Sequence, residues 1–171
     1  MQDAISSKLV EIITAIEHEG STAFAGVYDY DNGSGKYDNW PVAMVLPDDQ
    51  PSEHGDNTEV HRREGFNVFI LMPLGEEGEA RQKVYSDMRK LSDLVRNAID
   101  ATIDLNGLRA NYVNPNDITQ PLPQADGGKP LDKALGVVPA SAGWTTVDTP
   151  AGIAIMQTVN VVVRYDHFTG N

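Results

Sequence analysis

Residues that could do chemistry occur at several points of this sequence, but their spacing completes no catalytic or metal-binding motif. The segment DYDNGSG, from Asp29 to Gly35, has the composition of a calcium loop. A loop of the EF-hand type needs glycine at its sixth position and glutamate at its twelfth. Ser34 and Trp40 occupy those positions. The segment therefore predicts a hairpin turn.

Other catalytic patterns fail in the same way. The four histidines lie in separate segments without HExxH or HxH spacing; two could meet a carboxylate to hold zinc, but the sequence selects no pair. Ser141 lies in ASAG, which lacks the tight Gly-x-Ser-x-Gly elbow. A phosphate loop ending at Gly35-Lys36 would need glycine where Tyr30 stands. Carboxylates are abundant, and the sequence singles out no catalytic pair. It predicts no catalytic residue, no metal site and no cofactor, and hence a protein that is not an enzyme.

Composition narrows the class of protein. The 171 residues suit one domain, 1–171, and a chain of this size buries roughly 70% of its unfolded surface. The sequence has no cysteine, which excludes disulfides and thiolate metal sites. Its first residues lack the basic flank and apolar core of a signal peptide, and no apolar run is long enough to span a bilayer. We expect a soluble protein made in a cytoplasm, with no membrane partner.

The net charge of −12 is unevenly distributed along the chain. Residues 1–60 contain twelve acidic residues and two basic ones, Lys8 and Lys36, whereas residues 61–171 contain thirteen acidic and eleven basic residues. A negative surface repels phosphate, so tightly bound nucleic acid is not expected. Alternatively, the excess of acidic residues serves only to keep the protein soluble.

The longest regular pattern is the alternation GIAIMQTVNVVVRY, from Gly152 to Tyr165. A period of two with many β-branched residues predicts a strand, and its length is more than twice the usual five or six residues or so. Such a strand is expected to overhang a small domain and to need a partner for its backbone groups. One of its faces contains Ile153, Ile155, Val159, Val161, Val163 and Tyr165.

Two amphipathic helices are predicted over residues 3–18 and 78–103, from apolar residues at helical spacing. Asp3 is placed to cap the first helix, and Gly20 suits the position just after its end. The second helix keeps one apolar stripe for more than five turns. The residues expected to be buried are Leu9, Ile12, Ile16, Val84, Met88, Leu91 and Val95.

Helices and strands together predict an α+β domain: a mainly antiparallel sheet with two helices packed on one face and a long irregular loop. The loop is residues 114–135, which contain four prolines and few hydrophobic residues. Residues 66–72 are apolar enough for a strand covered on both faces. The further strands are predicted over 22–30, 40–46, 59–72, 108–113 and 136–147.

Some charged and aromatic residues are candidates for contacts with other molecules. Arg62 and Arg63 lie on a polar half-strand near the acidic loop 48–57; they are either solvated charges or partners of a neighbouring subunit's acidic loop. Trp40 and Trp144 adjoin strand starts and are predicted core residues. The three tyrosines that flank the first turn could serve equally in the core or in a contact: Tyr28, Tyr30 and Tyr37.

The order of these segments resembles a known family. A short N-terminal helix and an acidic hairpin region precede the strand from Thr58 to Leu71, the acidic-start helix 76–104 and the proline-rich loop. The segment GWTTVDTPAG, residues 143–152, then leads into the long terminal strand. Over nearly the whole chain, this layout is similar to that of the tail terminator and tail-completion proteins of tailed bacteriophages.

The resemblance implies a structural virion protein without catalytic residues or cofactors. Such subunits form a ring, commonly a hexamer, that caps the tail tube and joins it to the head connector. The implied partners are further copies of the chain, the tail tube protein and the head–tail connector or neck protein. The implied location is the tail–neck region of a virion assembled in the host cytoplasm, where DNA passes through without specific binding.

Two sets of site residues follow from the ring hypothesis. A negative lumen would keep DNA from sticking, since repulsion reaches roughly 8 Å at about 0.15 M salt. Alternatively, the acidic loop points up or down the ring axis and pairs with Arg62, Arg63 or the basic groups of a neighbouring ring. The predicted lumen residues are Asp48, Asp49, Glu53 and Asp56. The predicted subunit interface contains Arg62, Arg63, Val161, Val163 and Tyr165.

Other functions stay open on the sequence alone. One is a different neck, head-completion or baseplate protein of a phage. Another, from a different class, is a small bacterial α+β ligand-binding domain or hydrolase.

Overall fold

A computed structural model describes residues 2–31, 37–48, 53–54, 59–75, 78–102, 113–114, 117–121 and 137–168. Residues 108–112 of the predicted strand 108–113 and most of the predicted loop 114–135 lie outside these residues. In chain order the elements are α1 (Gln2–Thr14), β1 (Glu17–His18), β2 (Ser21–Thr22), β3 (Gly26–Tyr28), β4 (Val42–Asp48), β5 (Glu53–His54), β6 (Glu59–Pro73), α2 (Glu79–Asp100), β7 (Val113–Asn114), β8 (Asp117–Pro121), β9 (Val137–Thr149) and β10 (Gly152–Phe168).

The main sheet contains five strands in the order β3-β4-β6-β10-β9, and β5 pairs with the far part of β6. β3 and β4 are parallel, and the other neighbouring strands are antiparallel. Two small hairpins, β1–β2 and β7–β8, are separate from this sheet. The predicted α+β class with a mainly antiparallel sheet is therefore confirmed.

The two longest strands form the middle of the sheet. β6 and β10 pair position by position, from Pro73 opposite Ala154 to Glu59 opposite Phe168. β9 pairs with the other side of β10 from Gly152 to Val163. Most of the terminal strand thus has a neighbour on both sides. The prediction that it overhangs with unpaired backbone groups is wrong for these residues, because alternation reveals a strand's length but not its neighbours.

Both helices pack on one face of this sheet. α1 lies against β3 and β4, and α2 lies against β6, β10 and β9. The predicted burial of Leu9, Ile12, Ile16, Met88, Leu91 and Val95 is confirmed, whereas Val84 is half-buried at the margin. The strand residues that face the helices are Ala43, Val45, Phe66, Val68, Ile70, Ile155, Val159, Val161 and Val163.

The other face of the sheet has a smaller apolar cluster. Val42, Met44 and Leu71 are buried there, beside the half-buried Phe69 and Met156. Successive residues of a strand point to opposite faces. The second half of β6 therefore has apolar neighbours on both sides, as its composition predicts.

The first helix is shorter than predicted. α1 ends at Thr14, and β1 and β2 form a hairpin with Glu19 at φ 52° and Gly20 at φ 83° between them. Positive φ at both central residues gives the two-residue turn that matches the twist of paired strands. Gly20 therefore serves the hairpin turn rather than the helix end, since left-handed φ suits glycine in either role.

A pair of matched variants tests the helix stripe of α2. Leu91 is only 4% exposed, so Leu91→Ala should lower the free energy of unfolding by about 2–5 kcal/mol, through lost burial and a cavity. Lys90→Ala, at the exposed neighbouring position, should change it by no more than about 0.5 kcal/mol. Urea denaturation followed by circular dichroism measures both. Equal midpoints for the two variants would show that the stripe is misassigned.

Candidate functional site

Two of the predicted interface residues belong to the core. Val161 and Val163 are 1% and 0% exposed, on the face of β10 that packs under the helices. Their side chains are therefore not available to another subunit, which corrects the prediction. The face that alternation assigned to an interface is the inner face of a central strand.

The other three predicted interface residues come together on the paired strands. Arg62 lies opposite Tyr165, and Arg63 lies opposite Arg164. Their side chains are outside the described part of the structure. We call this segment the distal ribbon, defined as residues 59–63 of β6 paired with residues 164–168 of β10. It begins past Gly65 and Val163, where the pairing with β4 and β9 ends in the described residues.

Two of the four predicted lumen residues lie along the edge of β6 that faces away from β10. Asp48 is exposed at the end of β4, opposite Gly65. Glu53 is placed by its backbone in β5, opposite His61. Asp49 and Asp56 are outside the described residues. Two of the four positions thus lie on β4 and β5, the two strands that pair with the same edge of β6.

An exposed aromatic group stands at the β9 edge. Trp144 is 41% exposed, which corrects its prediction as a core residue. Its ring packs edge-on against Tyr85 of α2, with centroids 4.6 Å apart, and the guanidinium carbon of Arg89 lies 5.3 Å from the indole centroid. A cation over an exposed aromatic ring contributes roughly 0.5–1 kcal/mol. We call Tyr85, Arg89 and Trp144 the Trp144 corner.

Local backbone geometry places Trp144 there. Gly143 has φ 92°, and the β9–β10 register shifts between Gln157 and Val159, opposite this part of β9. A bulge at a sheet edge bends the strand and re-aims the next side chain. β9 is the last strand of the sheet order, and among the described residues α2 covers one side of the indole.

A second aromatic group lies at the opposite edge, after β3. Tyr28, Tyr37 and Trp40 are half-buried and in ring contact, whereas Tyr30 is 55% exposed and packs against Tyr28. The Tyr37 hydroxyl donates to Met44 Sδ at 3.2 Å. Burial raises the pKa of Tyr37, and the nearby carboxylate of Asp31 acts in the same direction. Of these tyrosines, Tyr28 and Tyr37 are therefore packing residues, and Tyr30 is exposed at the surface.

Three surface hollows are lined by described residues. The largest, about 450 Å³, lies between the helices and has no titratable side chain in its lining. A hollow of about 110 Å³ adjoins the Trp144 corner. The third, about 210 Å³, is lined by Asp3, Ser6, Ser7, Asp29, Pro47 and Phe66. Of these three hollows, the third alone is lined by carboxylates, and we call it the acidic hollow.

The described residues contain no group of three or more histidine, aspartate or glutamate side chains that could hold a metal ion. Within the same residues, no helix is both long and apolar enough to cross a membrane. The described residues do offer two aromatic groups at the sheet edges, one with Arg89 over its tryptophan and the other with the carboxylate of Asp31 near Tyr37.

Comparison with known proteins adds no family. No protein-family model matches the chain, and no curated protein matches it. One solved structure is similar over 100% of this chain and 97% of its own length, with 15% sequence identity and a TM-score of 0.37. At that TM-score the likeness carries no argument about fold or function.

The sequence singles out neither Tyr85 nor Arg89 as a site residue. Their spacing of four places them on one side of α2, where a pair is expected to interact. The strand beneath that side follows from the sheet order, which local spacing does not contain. Arg89 could therefore be recognised as an edge residue only once β9 was known to be the outermost strand.

The bulge at Gly143 can be tested with a matched glycine. Gly143→Ala should lower the free energy of unfolding by about 1–2 kcal/mol, because left-handed φ is unfavourable for a residue with Cβ; no atom crowds the added methyl group. Gly75→Ala is the control, since φ there is outside the left-handed region and the nearest atom is 3.8 Å away. It should change stability by no more than about 0.5 kcal/mol.

Both glycine variants are made in a Trp40→Phe background, which leaves Trp144 as the single tryptophan. Gly143→Ala should also shift the fluorescence of Trp144, whereas Gly75→Ala should leave it unchanged. An unchanged stability and spectrum for Gly143→Ala would contradict the bulge as the cause of Trp144's position.

Proposed function

We propose that this protein is a ring-forming tail terminator of a tailed bacteriophage, a structural subunit that caps the tail tube and joins it to the head connector. The observation that carries the proposal is the distal ribbon. Past the pairing with β4 and β9, β6 and β10 stay paired for five more positions, about 17 Å at roughly 3.4 Å per residue. Among the described residues, only β5 lies beside it.

A ribbon of two strands is marginally stable by itself in water. In an assembly it gains a neighbour that supplies packing and backbone partners. Three of the predicted contact residues, Arg62, Arg63 and Tyr165, lie on this segment. The subunit contact proposed for β10 is therefore its part in the distal ribbon. It is not the inner face of β10, which contains Val161 and Val163.

The order of the elements supports the same proposal. A short helix, an acidic region, a long strand, a long helix and two long final strands follow one another in the described chain, which is the layout that resembles tail terminators. The distal ribbon and the Trp144 corner have features that suit contact with other protein chains. A subunit whose work is assembly needs such surfaces.

Solution assembly and tube capping test the function directly. Light scattering should give a mass several times that of one chain, and negative-stain electron microscopy should show rings, six subunits each if the ring is hexameric. Added to polymerising tail tube protein, the rings should stop growth and fix tube length, because a capped end cannot add subunits. Tube protein alone is the control. A monomer at all concentrations, or tubes that keep growing, would contradict the proposal.

The acidic residues beside β6 are proposed to line the ring lumen. Asp48 is exposed at the end of β4, and a negative wall repels passing DNA over about 8 Å at physiological salt. Replacing Asp48, Asp49, Glu53 and Asp56 by lysine should leave ring assembly intact and slow DNA release from assembled particles. Replacing the four by asparagine, serine or glutamine separates charge loss from charge reversal. Normal DNA release by the lysine variant would contradict the proposal that these four residues line the lumen.

A further inference from the structure

The two edges of the sheet differ in charge. α1, β3 and β4 lie at one edge, and α2 lies over β9 at the other. In the described residues up to position 48, the single cation is Lys8, which pairs with Glu11 at 2.6 Å. The exposed carboxylates of that side include Asp3 and Asp29, which both line the acidic hollow.

The edge at β9 is aromatic, and α2 beside it carries both acidic and basic side chains. Two cations of α2, Lys90 and Arg96, pair with carboxylates of the same helix at 3.7 and 3.8 Å. Arg89 instead lies over the Trp144 ring, and no carboxylate among the described residues pairs with it. Its guanidinium therefore keeps hydrogen-bond donors for a partner outside this part of the chain. Arginine recognises carboxylates by paired hydrogen bonds.

These two edges cannot meet within one subunit. Four strand spacings of roughly 4.8 Å separate β3 from β9, about 19 Å in all. We propose that the Trp144 corner of one copy binds the acidic hollow of the next copy, so that the β9 edge meets the β3 edge around a ring. This inference rests on the proposed ring function and names the surfaces that build the ring.

Charge complementarity selects a second copy as the occupant. Tryptophan, tyrosine and arginine are the residue types that dominate the energy of protein–protein contacts, and the corner contains one of each. The hollow offers two carboxylates and the hydroxyls of Ser6 and Ser7. Because the joined surfaces are unlike, the contact is head-to-tail, and repeated head-to-tail contacts close into a ring when the rotation permits.

The backbone at the β9 edge favours the same arrangement. In the described residues no strand pairs with its outer side, and from Trp144 to Thr149 the strand has a single charged residue, Asp148. Natural proteins usually protect such edges with lysine, proline or a covering segment. A neighbouring subunit seated at the Trp144 corner would cover it.

Charge reversal on each edge, alone and in mixture, tests the proposal. Arg89→Glu and Asp29→Arg should each raise the dissociation constant of the assembly at least about tenfold, because each places like charges in contact. Mixed in equal amounts, the two variants should assemble again, since one contact is then native and the other has its charges exchanged. Light scattering measures the mass in each case. In a Trp40→Phe background, Trp144 emission should shift to shorter wavelength on assembly.

Lys90→Glu is the matched control, with the same charge change at the adjacent position of α2, and it should assemble like the unaltered protein. Circular dichroism checks that every variant is folded. If Asp29→Arg does not fold, Asp3→Arg takes its place. If rings form despite both charge reversals, or if the mixture stays dissociated, these surfaces are not the subunit contact. The proposal that the protein forms a ring would not be contradicted by either result. A monomeric unaltered protein would overturn both the surfaces and the ring.

Discussion

The ladder between β6 and β10 is the constraint on which the rest of this structure depends. Its register puts Val68 opposite Val159 and Phe66 opposite Val161. All four residues face the helices. Because side chains alternate with period two, a slip of one residue would send this whole set to the other face. Both helices need that apolar surface, so the ladder decides where they dock.

The proposed function depends on the periphery of the ladder. Its middle is filled by apolar side chains, and aromatic and charged side chains lie at its lateral edges. The helices divide the two edges between them: α1 covers the acidic side, and α2 covers the side of Trp144. The same sheet that provides the core thus holds two unlike surfaces apart at a fixed distance, which is what a repeating assembly requires of its subunit.

Local patterns predicted much of this fold. The apolar stripe of α2 gave its position and its buried side, and the alternation after Gly152 gave the longest strand. Both patterns work because burial repeats at the period of the element itself. The same patterns are local, so they could not say that β10 has neighbours on both sides or that its apolar face is internal.

The unpredicted parts are those that a local pattern leaves ambiguous. Gly20 fits a helix end and a hairpin turn equally well, and the hairpin formed because Ser21 and Thr22 pair back onto Glu17 and His18. The exposure of Trp144 depends on strand order and on the bulge beside it. The candidate edges joined residues from α1, α2 and two strands, and only the tertiary arrangement brings such residues together.

The place of β10 in the sheet has a consequence for synthesis on the ribosome. Val159 is made about 90 residues after its partner Val68, which takes roughly 5–18 s at translation rates of about 5–20 residues per second. During that interval the apolar edge of β6 has no native strand to pair with. Distant pairing of this kind also slows folding, since a large loop must close before the contact forms. Until β10 is made, that edge of β6 is therefore open to pairing with another chain.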